Sequence, residues 1–337
     1  MRRNRVRTSV IAVAATAALA LTACGGKQDR TSDTAASGGS GGDSCTATAG
    51  QITIATGNST GVYYALGGGL AQVISTNTDL KATAAETGAS VQNIQQLVDK
   101  KYDIAFSLAD TAADAVTGKG AFEGKKADVK ALARIYSNYT QVVVSKKSGI
   151  TKVEDFKGKR ISTGSPKSGT EVIANRLIQA AGLDPAKDVK TQRLDLTKTV
   201  DGMKDGSIDG LVWSGGLPTG GITDLMTAMG DQVQFVDITP LLPKLKEVNP
   251  VYAEDVIPAA TYKTAADAKT IVVPNLLLVR SDMSENNACA LTKLIFDKKA
   301  DLEKVHPAAK DLDPATAKEA DPVELHPGSL KALDELD

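Results

Sequence analysis

Two stretches of this chain repeat one arrangement, and the repetition restricts the fold more than any other feature. Ile52–Ile74 reads ITIATGNSTGVYYALGGGLAQVI. A β-branched start gives way to the small-residue loop Gly57-Asn58-Ser59-Thr60-Gly61, and a helical pattern follows with Val62, Leu66, Val73 and Ile74 on one face. Residues 160–178 do the same: RISTGSPKSGTEVIANRLI leads through Thr163–Thr170 to a helix carrying Val172, Ile173, Leu177 and Ile178. Each copy is followed by a second helix and a buried strand, VQNIQQLVDKKYDIAF (91–106) and TVDGMKDGSIDGLVW (199–213). A strand, loop and helix start aim free N–H groups and the positive end of a helix dipole at one point, which suits an anion. One such loop is no more than the turn any βα unit needs. Two of them, each with βαβ character, predict two similar α/β lobes that each present a helix N-terminus to a shared cleft.

The N-terminal residues predict something other than fold. Arg2, Arg3, Arg5 and Arg7 precede an apolar run from Val10 to Leu21, and Leu21-Thr22-Ala23-Cys24 follows. This is the organisation of a secretory signal (residues 1–23), and the apolar run is too short for a comfortable membrane span. LTAC resembles a bacterial lipobox, which makes Cys24 the lipidated first residue of the mature chain; an ordinary signal peptide with a chance Cys is the alternative. The Ser/Gly/Asp-rich segment after it, assigned to residues 24–48, has too little apolar surface to order itself and reads as a tether. The expected location is therefore the extracytoplasmic face of a membrane, with the globular part lipid-anchored through Cys24.

What remains is long enough for two domains. With 39 basic and 40 acidic residues, a net charge of −1 and 4% aromatics, the chain has neither the basic stripe nor the stacking platforms of a nucleic-acid binder. Of the three cysteines, Cys45 and Cys289 remain once Cys24 is lipidated. In an oxidising compartment this even pair is expected to form a disulfide, with two independent buried thiols as the alternative.

Further along, Ser107 follows a buried strand and is expected at the carboxyl end of the sheet, facing the cleft. Asp110 reads as a helix cap, and Asp110 with Asp114 as a solvated helix face. Val129–Ser145 reads as two extended runs interrupted near Ser137-Asn138, crossing from one lobe to the other. Arg134 lies there, available either for a ligand carboxylate or as a structural hinge residue. Trp213, the only Trp, precedes Gly215-Gly216 and is either a wall of the site or a core residue. Ala268–Arg280 is the return crossover. Lobe I is thus expected at 49–137 and 268–337, and lobe II at 138–267.

No enzyme constellation is evident. His306 and His326 lack Cys, His or carboxylate neighbours at metal-ligand spacing, there is no G-x-S-x-G, and Gly164–Glu171 lacks the lysine of a P-loop. No cofactor and no metal are expected.

ITIATGNSTGVYYALGGGLA, YDIAFSLAD, ISTGSPKSGTE, WSGGLPTGGI and LHPG, behind a lipoprotein-type signal, resemble the TAXI family, the solute receptors of a subset of TRAP transporters. The resemblance covers about residues 51–330. It implies a periplasmic-binding-protein-like (type II-like) clamshell with two crossover segments at the hinge. It also implies delivery of a small carboxylate, glutamate-like, glutamine-like or a dicarboxylate, to a sodium-driven membrane permease. The first family motif falls on Gly57–Tyr64 and the second on Thr163–Glu171. Asn58 and Lys167 depart from the small residues usual there, and Lys167 either adds charge toward an acidic ligand or points to solvent. The expected ligand contacts are Gly57, Asn58, Ser59, Thr60, Gly61, Val62 and Tyr63 from one lobe. Ser165, Lys167, Ser168, Gly169 and Thr170 face them from the other, with Ser107, Arg134, Trp213, Gly215 and Gly216 shaping the walls. A monomer is expected. The alternatives are a clamshell serving an ATP-driven importer or a sensor kinase, a secreted enzyme on a bilobal fold, and a structural surface antigen.

Overall fold

The computed structural model describes residues 45–336. The segments expected to be a signal peptide and a tether, with Cys24, lie outside the described residues as far as residue 44. Residues 45–48 are not part of a loose tether. Cys45 is disulfide-bonded to Cys289 with a Cα–Cα distance of 5.1 Å, Ala47 is buried, and the Thr48 N–H donates to Asn287 Oδ1 at 2.8 Å.

Ten strands form one mixed sheet: β1 (Gly50–Ala55), β2 (Leu80–Ala85), β3 (Ile104–Leu108), β4 (Val129–Ser145), β5 (Arg160–Ser162), β6 (Lys190–Gln192), β7 (Gly210–Gly215), β8 (Val233–Phe235), β9 (Ala253–Ile257) and β10 (Ala268–Arg280). Their order is β2-β1-β3-β10-β4-β7-β5-β6, with β8 beside β4 and β9 beside β10. Each outer half is parallel, β2-β1-β3 on one side and β7-β5-β6 on the other. The long antiparallel pair β4 and β10 runs through both halves. It is also the place where the chain passes between them, as two crossover segments require.

Twelve helices cover the sheet: α1 (Val62–Asn77), α2 (Ser90–Val98), α3 (Ala109–Thr117), α4 (Gly169–Ala180), α5 (Leu196–Asp205), α6 (Gly220–Met229), α7 (Leu242–Val248), α8 (Ala259–Tyr262), α9 (Glu285–Asp297), α10 (Lys299–Val305), α11 (Pro314–Ala317) and α12 (Pro327–Asp334). Tyr63, Leu66 and Leu70 of α1 pack with Phe106, Leu277 and Leu291 on one face of the first half. Leu196, Val200, Ile222 and Leu225 of α5 and α6 cover the corresponding face of the second. The opposite face carries one apolar cluster that is continuous between the halves, from Ile94, Leu97 and Ala112 through Leu276 and Leu278 to Ile161, Ile173 and Leu177. Apolar surface shared in this way holds the two halves together.

Two expectations fail for one reason. The extended segment around Ser137-Asn138 is not two runs: β4 is one strand of 17 residues, whose pairing with β10 shifts register between Arg134 and Ser137. Asn138, 2% exposed, is satisfied from within the sheet, accepting from Asn275 Nδ2 at 2.8 Å and donating from Nδ2 to the Ser214 carbonyl at 3.3 Å. Asp110 is not the N-cap residue of α3, which is Leu108, although its Oδ1 accepts from the first-turn Thr111 N–H at 2.6 Å, and Asp110 with Asp114 is not a solvated face. Both are buried, and Arg176 of α4 pairs with each. In both places a polar residue that reads as a turn or surface signal is buried with a partner more than sixty positions away.

Candidate functional site

Between the two halves lies a cavity of about 30 Å³, room for about two waters. Three helix starts meet there: Gly61-Val62-Tyr63 of α1, Gly88-Ala89-Ser90 of α2, and Ser168-Gly169-Thr170 of α4. The first-turn N–H groups of a helix have no intrahelical partner. At α1 and α2 no side chain caps them either, although the Gln92 N–H of α2 donates to the Lys167 carbonyl at 3.0 Å. At α4, Ser168 Oγ accepts only from the Glu171 N–H, at 2.9 Å. Three dipole ends therefore place positive potential on one small space.

The α2 start carries a backbone cost. Ala89 has φ 84° and ψ −151°, a region that side chains other than glycine's rarely enter. Its N–H donates to Thr87 Oγ1 at 3.0 Å, and Thr87 Oγ1 in turn donates to Asn93 Oδ1 at 2.6 Å. This network holds the turn that brings Ala89 and Ser90 to the cavity.

The floor is polar and fully paired. Tyr63 Oη donates to Asn275 Oδ1 at 2.5 Å, and Asn275 Nδ2 donates to the Tyr136 carbonyl at 2.9 Å as well as to Asn138. Burial pushes the Tyr63 phenol far above its usual range, so it stays a neutral donor. Asn58 Oδ1 accepts from Ser165 Oγ and from the Leu196 N–H, both at 3.1 Å, and so joins the two halves at the edge of the cavity. The wall is β7: Trp213, Ser214 and Gly215 line the cavity. The Ser214 N–H donates to Thr170 Oγ1 at 3.2 Å, whereas Ser214 Oγ and Trp213 Nε1 are buried with no partner. Among the described residues, no Asp, Glu, Lys, Arg or His lines the cavity.

Of the residues predicted from the sequence, Gly57, Asn58, Gly61, Val62, Tyr63, Ser168, Gly169, Thr170, Trp213 and Gly215 line this space. The others do not. Ser59 and Thr60 are exposed beside it; the Ser59 N–H donates to Glu86, and the Thr60 carbonyl accepts from the Gly221 N–H across the cleft. Ser107 is buried in β3 with its hydroxyl on the Leu108 carbonyl, because its side chain falls on the covered side of the strand. Arg134 pairs with Glu319, on the C-terminal segment. Lys167 turns outward in a left-handed conformation (φ 62°), with Nζ on Gln95 Oε1 at 3.2 Å. Ser165 acts through Asn58. Gly216 lies behind the wall, where a Cβ would come within 2.8 Å of the Tyr136 ring.

Sequence reasoning missed Gly88, Ala89, Ser90, Leu108, Asn138 and Ser214. The first three carried a readable signal: Thr87-Gly88-Ala89-Ser90 before an amphipathic helix is a third small-residue helix start. The other three had none, since they reach the cavity only through strand pairing.

Fold and cleft together define the class: an α/β clamshell of the periplasmic-binding-protein kind, with its cavity at the carboxyl ends of parallel strands. The chain belongs to the NMT1-like family, which it matches over residues 54–336. Among solved structures it is similar to a binding-protein component of an ABC phosphonate transporter from Pseudomonas aeruginosa. That protein is 16% identical, 79% of this chain and 80% of that one align, and the TM-score is 0.55. It is also similar to a protein from Bordetella bronchiseptica, 21% identical over 84% of this chain and 88% of that one, with a TM-score of 0.52. At such identities the likeness is one of fold.

Proposed function

We propose that this chain is an extracytoplasmic solute-binding protein that captures a small carboxylate between its lobes and delivers it to a membrane permease. The observation that carries the reading is the convergence of three helix N-termini, from both halves of the sheet, on one cavity that no charged side chain enters. In this reading lobe I is 49–137 with 268–337, lobe II is 138–267, and β4 and β10 are the hinge. The lobes close on the ligand because only the closed form lets both touch it. The cavity is small enough that loading requires them to part. A lipid on Cys24 keeps the protein at the membrane. The TAXI-type motifs support a sodium-coupled TRAP permease as the recipient. The likeness to a component of a phosphonate ABC transporter supports the second reading, an ATP-driven importer.

The test is thermal unfolding of the protein against a panel of small carboxylates. A ligand that binds only the folded state adds about 2.7 kcal/mol at a hundredfold excess over its dissociation constant. If no carboxylate moves the midpoint, the reading fails. With a ligand in hand, uptake by whole cells that stops when the sodium gradient is collapsed at constant ATP selects the TRAP permease; uptake that persists selects the importer.

A further inference from the structure

We infer that the ligand is a singly charged organic oxyanion of the monocarboxylate type, with no ammonium group and no second charge. This rests on the receptor reading above and narrows it away from amino acids and dicarboxylates. The cavity offers donors. The first-turn N–H groups of α1, α2 and α4 surround it, each helix being at least nine residues long. Independently of those helix starts, Ser214 and Trp213 line it, 6% and 9% exposed, and their Oγ and Nε1 are two of the five buried side-chain atoms without a partner among the described residues. Buried polar atoms are ordinarily paired, so two unpaired ones on the wall of a binding-type cavity mark where ligand oxygen belongs. An indole N–H can only donate, so the group that completes it must accept.

The same cavity has no carboxylate acceptor. Asn58 Oδ1 already takes two hydrogen bonds, and Asn138 Oδ1 and Asn275 Oδ1 take one each. An ammonium group brought here would face no carboxylate and three positive dipole ends. A second carboxylate would find no cation: Lys167 is turned to Gln95, Arg134 to Glu319, and Arg176 to Asp110 and Asp114. Burying either charge without a partner is costly enough to reverse binding.

Calorimetric titration of the protein with four size-matched probes separates the possibilities: pyruvate and lactate, alanine as the ammonium analogue, and malonate as the doubly charged one. Pyruvate or lactate is expected to bind at least about a hundredfold more tightly than alanine or malonate. Trp213→Phe and Ser214→Ala, checked for an unchanged far-UV spectrum, are each expected to weaken the monocarboxylate about ten- to a hundredfold, the loss typical of a hydrogen bond to a charged group. If alanine or malonate binds as tightly as the monocarboxylates, the inference is overturned while the receptor reading survives. If none of the four binds, the inference is overturned, while the receptor reading stands or falls with the wider carboxylate panel. Unchanged affinity in both variants also overturns the inference, since the two unpaired donors would then not be ligand contacts.

Discussion

Arg176 reaches across the cleft to Asp110: its Nη1 donates to a fully buried Asp110 Oδ2 at 2.8 Å, while Nη2 holds Asp114 at 2.5 Å and Tyr252 Oη also donates to Asp110. The arginine comes from α4, which begins at the cavity. The carboxylates come from α3, which follows β3 in the other half of the sheet. One guanidinium thus ties together the two halves of the sheet.

Removing that guanidinium leaves two carboxylates buried without a countercharge. Arg176→Met is expected to cost about 3–5 kcal/mol in urea unfolding. Replacing Asp110, Asp114 and Arg176 together by apolar residues of similar size is expected to restore most of the loss, because buried pairs are costly to break and cheap to replace. Burial already raises the Asp114 carboxyl above its usual value, with Arg176 working against it. If Arg176→Met unfolds at the wild-type urea concentration, this account of the pair is wrong.

Gly169 is the second point of close approach. A Cβ there would lie 2.5 Å from Leu108 Cδ1 and 2.7 Å from Ser90 Oγ, both on the opposite half. Overpacking at such a contact costs roughly 1–3 kcal/mol. Gly169→Ala is therefore expected to weaken ligand binding about fivefold or more by opposing closure. It should enlarge the radius of gyration of the ligand-free protein in small-angle scattering. A variant of unchanged compactness and affinity would show that the two halves need not meet here.

Ala89→Gly is expected to stabilise the protein. The backbone at φ 84° and ψ −151° costs a non-glycine residue about 1–3 kcal/mol, and the added flexibility of glycine in the unfolded chain returns roughly 0.5–1 kcal/mol of that. The net gain of about 1 kcal/mol corresponds to a rise of about 2 °C in Tm for a chain of this size. A lower Tm would mean that Ala89 relaxes without cost.

His326 makes stability fall with acid. Its Nδ1 accepts from the Gly328 N–H at 3.2 Å while Nε2 donates to the Met283 carbonyl at 2.9 Å, the pattern of a neutral ring. Burial lowers its pKa below 6.5, with the Met283 hydrogen bond opposing. The unfolded imidazole takes a proton near pH 6.5 and the folded one only at lower pH. Between those values the unfolded state binds more protons, so the stabilisation present above about 6.5 is lost as pH falls toward the folded pKa. His326→Asn keeps a capping acceptor without the titration, and its Tm should vary less between pH 7.5 and 5 on the order of one group's contribution. An unchanged pH slope would remove His326 from the account. His306, whose Nε2 meets the Pro218 carbonyl across the cleft at 3.0 Å, is lowered for the same reason and adds to the slope with the same sign.

How far the sequence reached is clearest at the two loops with which it is most repetitive. Ile52–Ile74 and residues 160–178 announced a strand, a small-residue turn and a helix start, and those starts are where α1 and α4 meet the cavity. Such signals are local: apolar periodicity, glycine, and the absence of a bulky side chain at the first turn. The long crossovers were legible for a similar reason, since Val129–Ser145 and Ala268–Arg280 are apolar and β-branched over a length no single lobe needs.

Ser107, Arg134 and Lys167 were placed in the site and lie outside it, while Asn138 and Ser214 lie on its surface. What separates them is strand register and side-chain partnering, and a shift of one position on a strand turns a residue to the opposite face. Asp110 reads as a cap or a surface charge until α4 brings Arg176 to it from 66 positions away. The sequence by itself therefore determined the α/β character, the paired helix starts and the two hinge strands, because each is written in contiguous residues. Only the tertiary structure decided that a third helix start completes the cavity, that no charge enters it, and that its walls leave donors free, because each of those depends on residues that meet through packing.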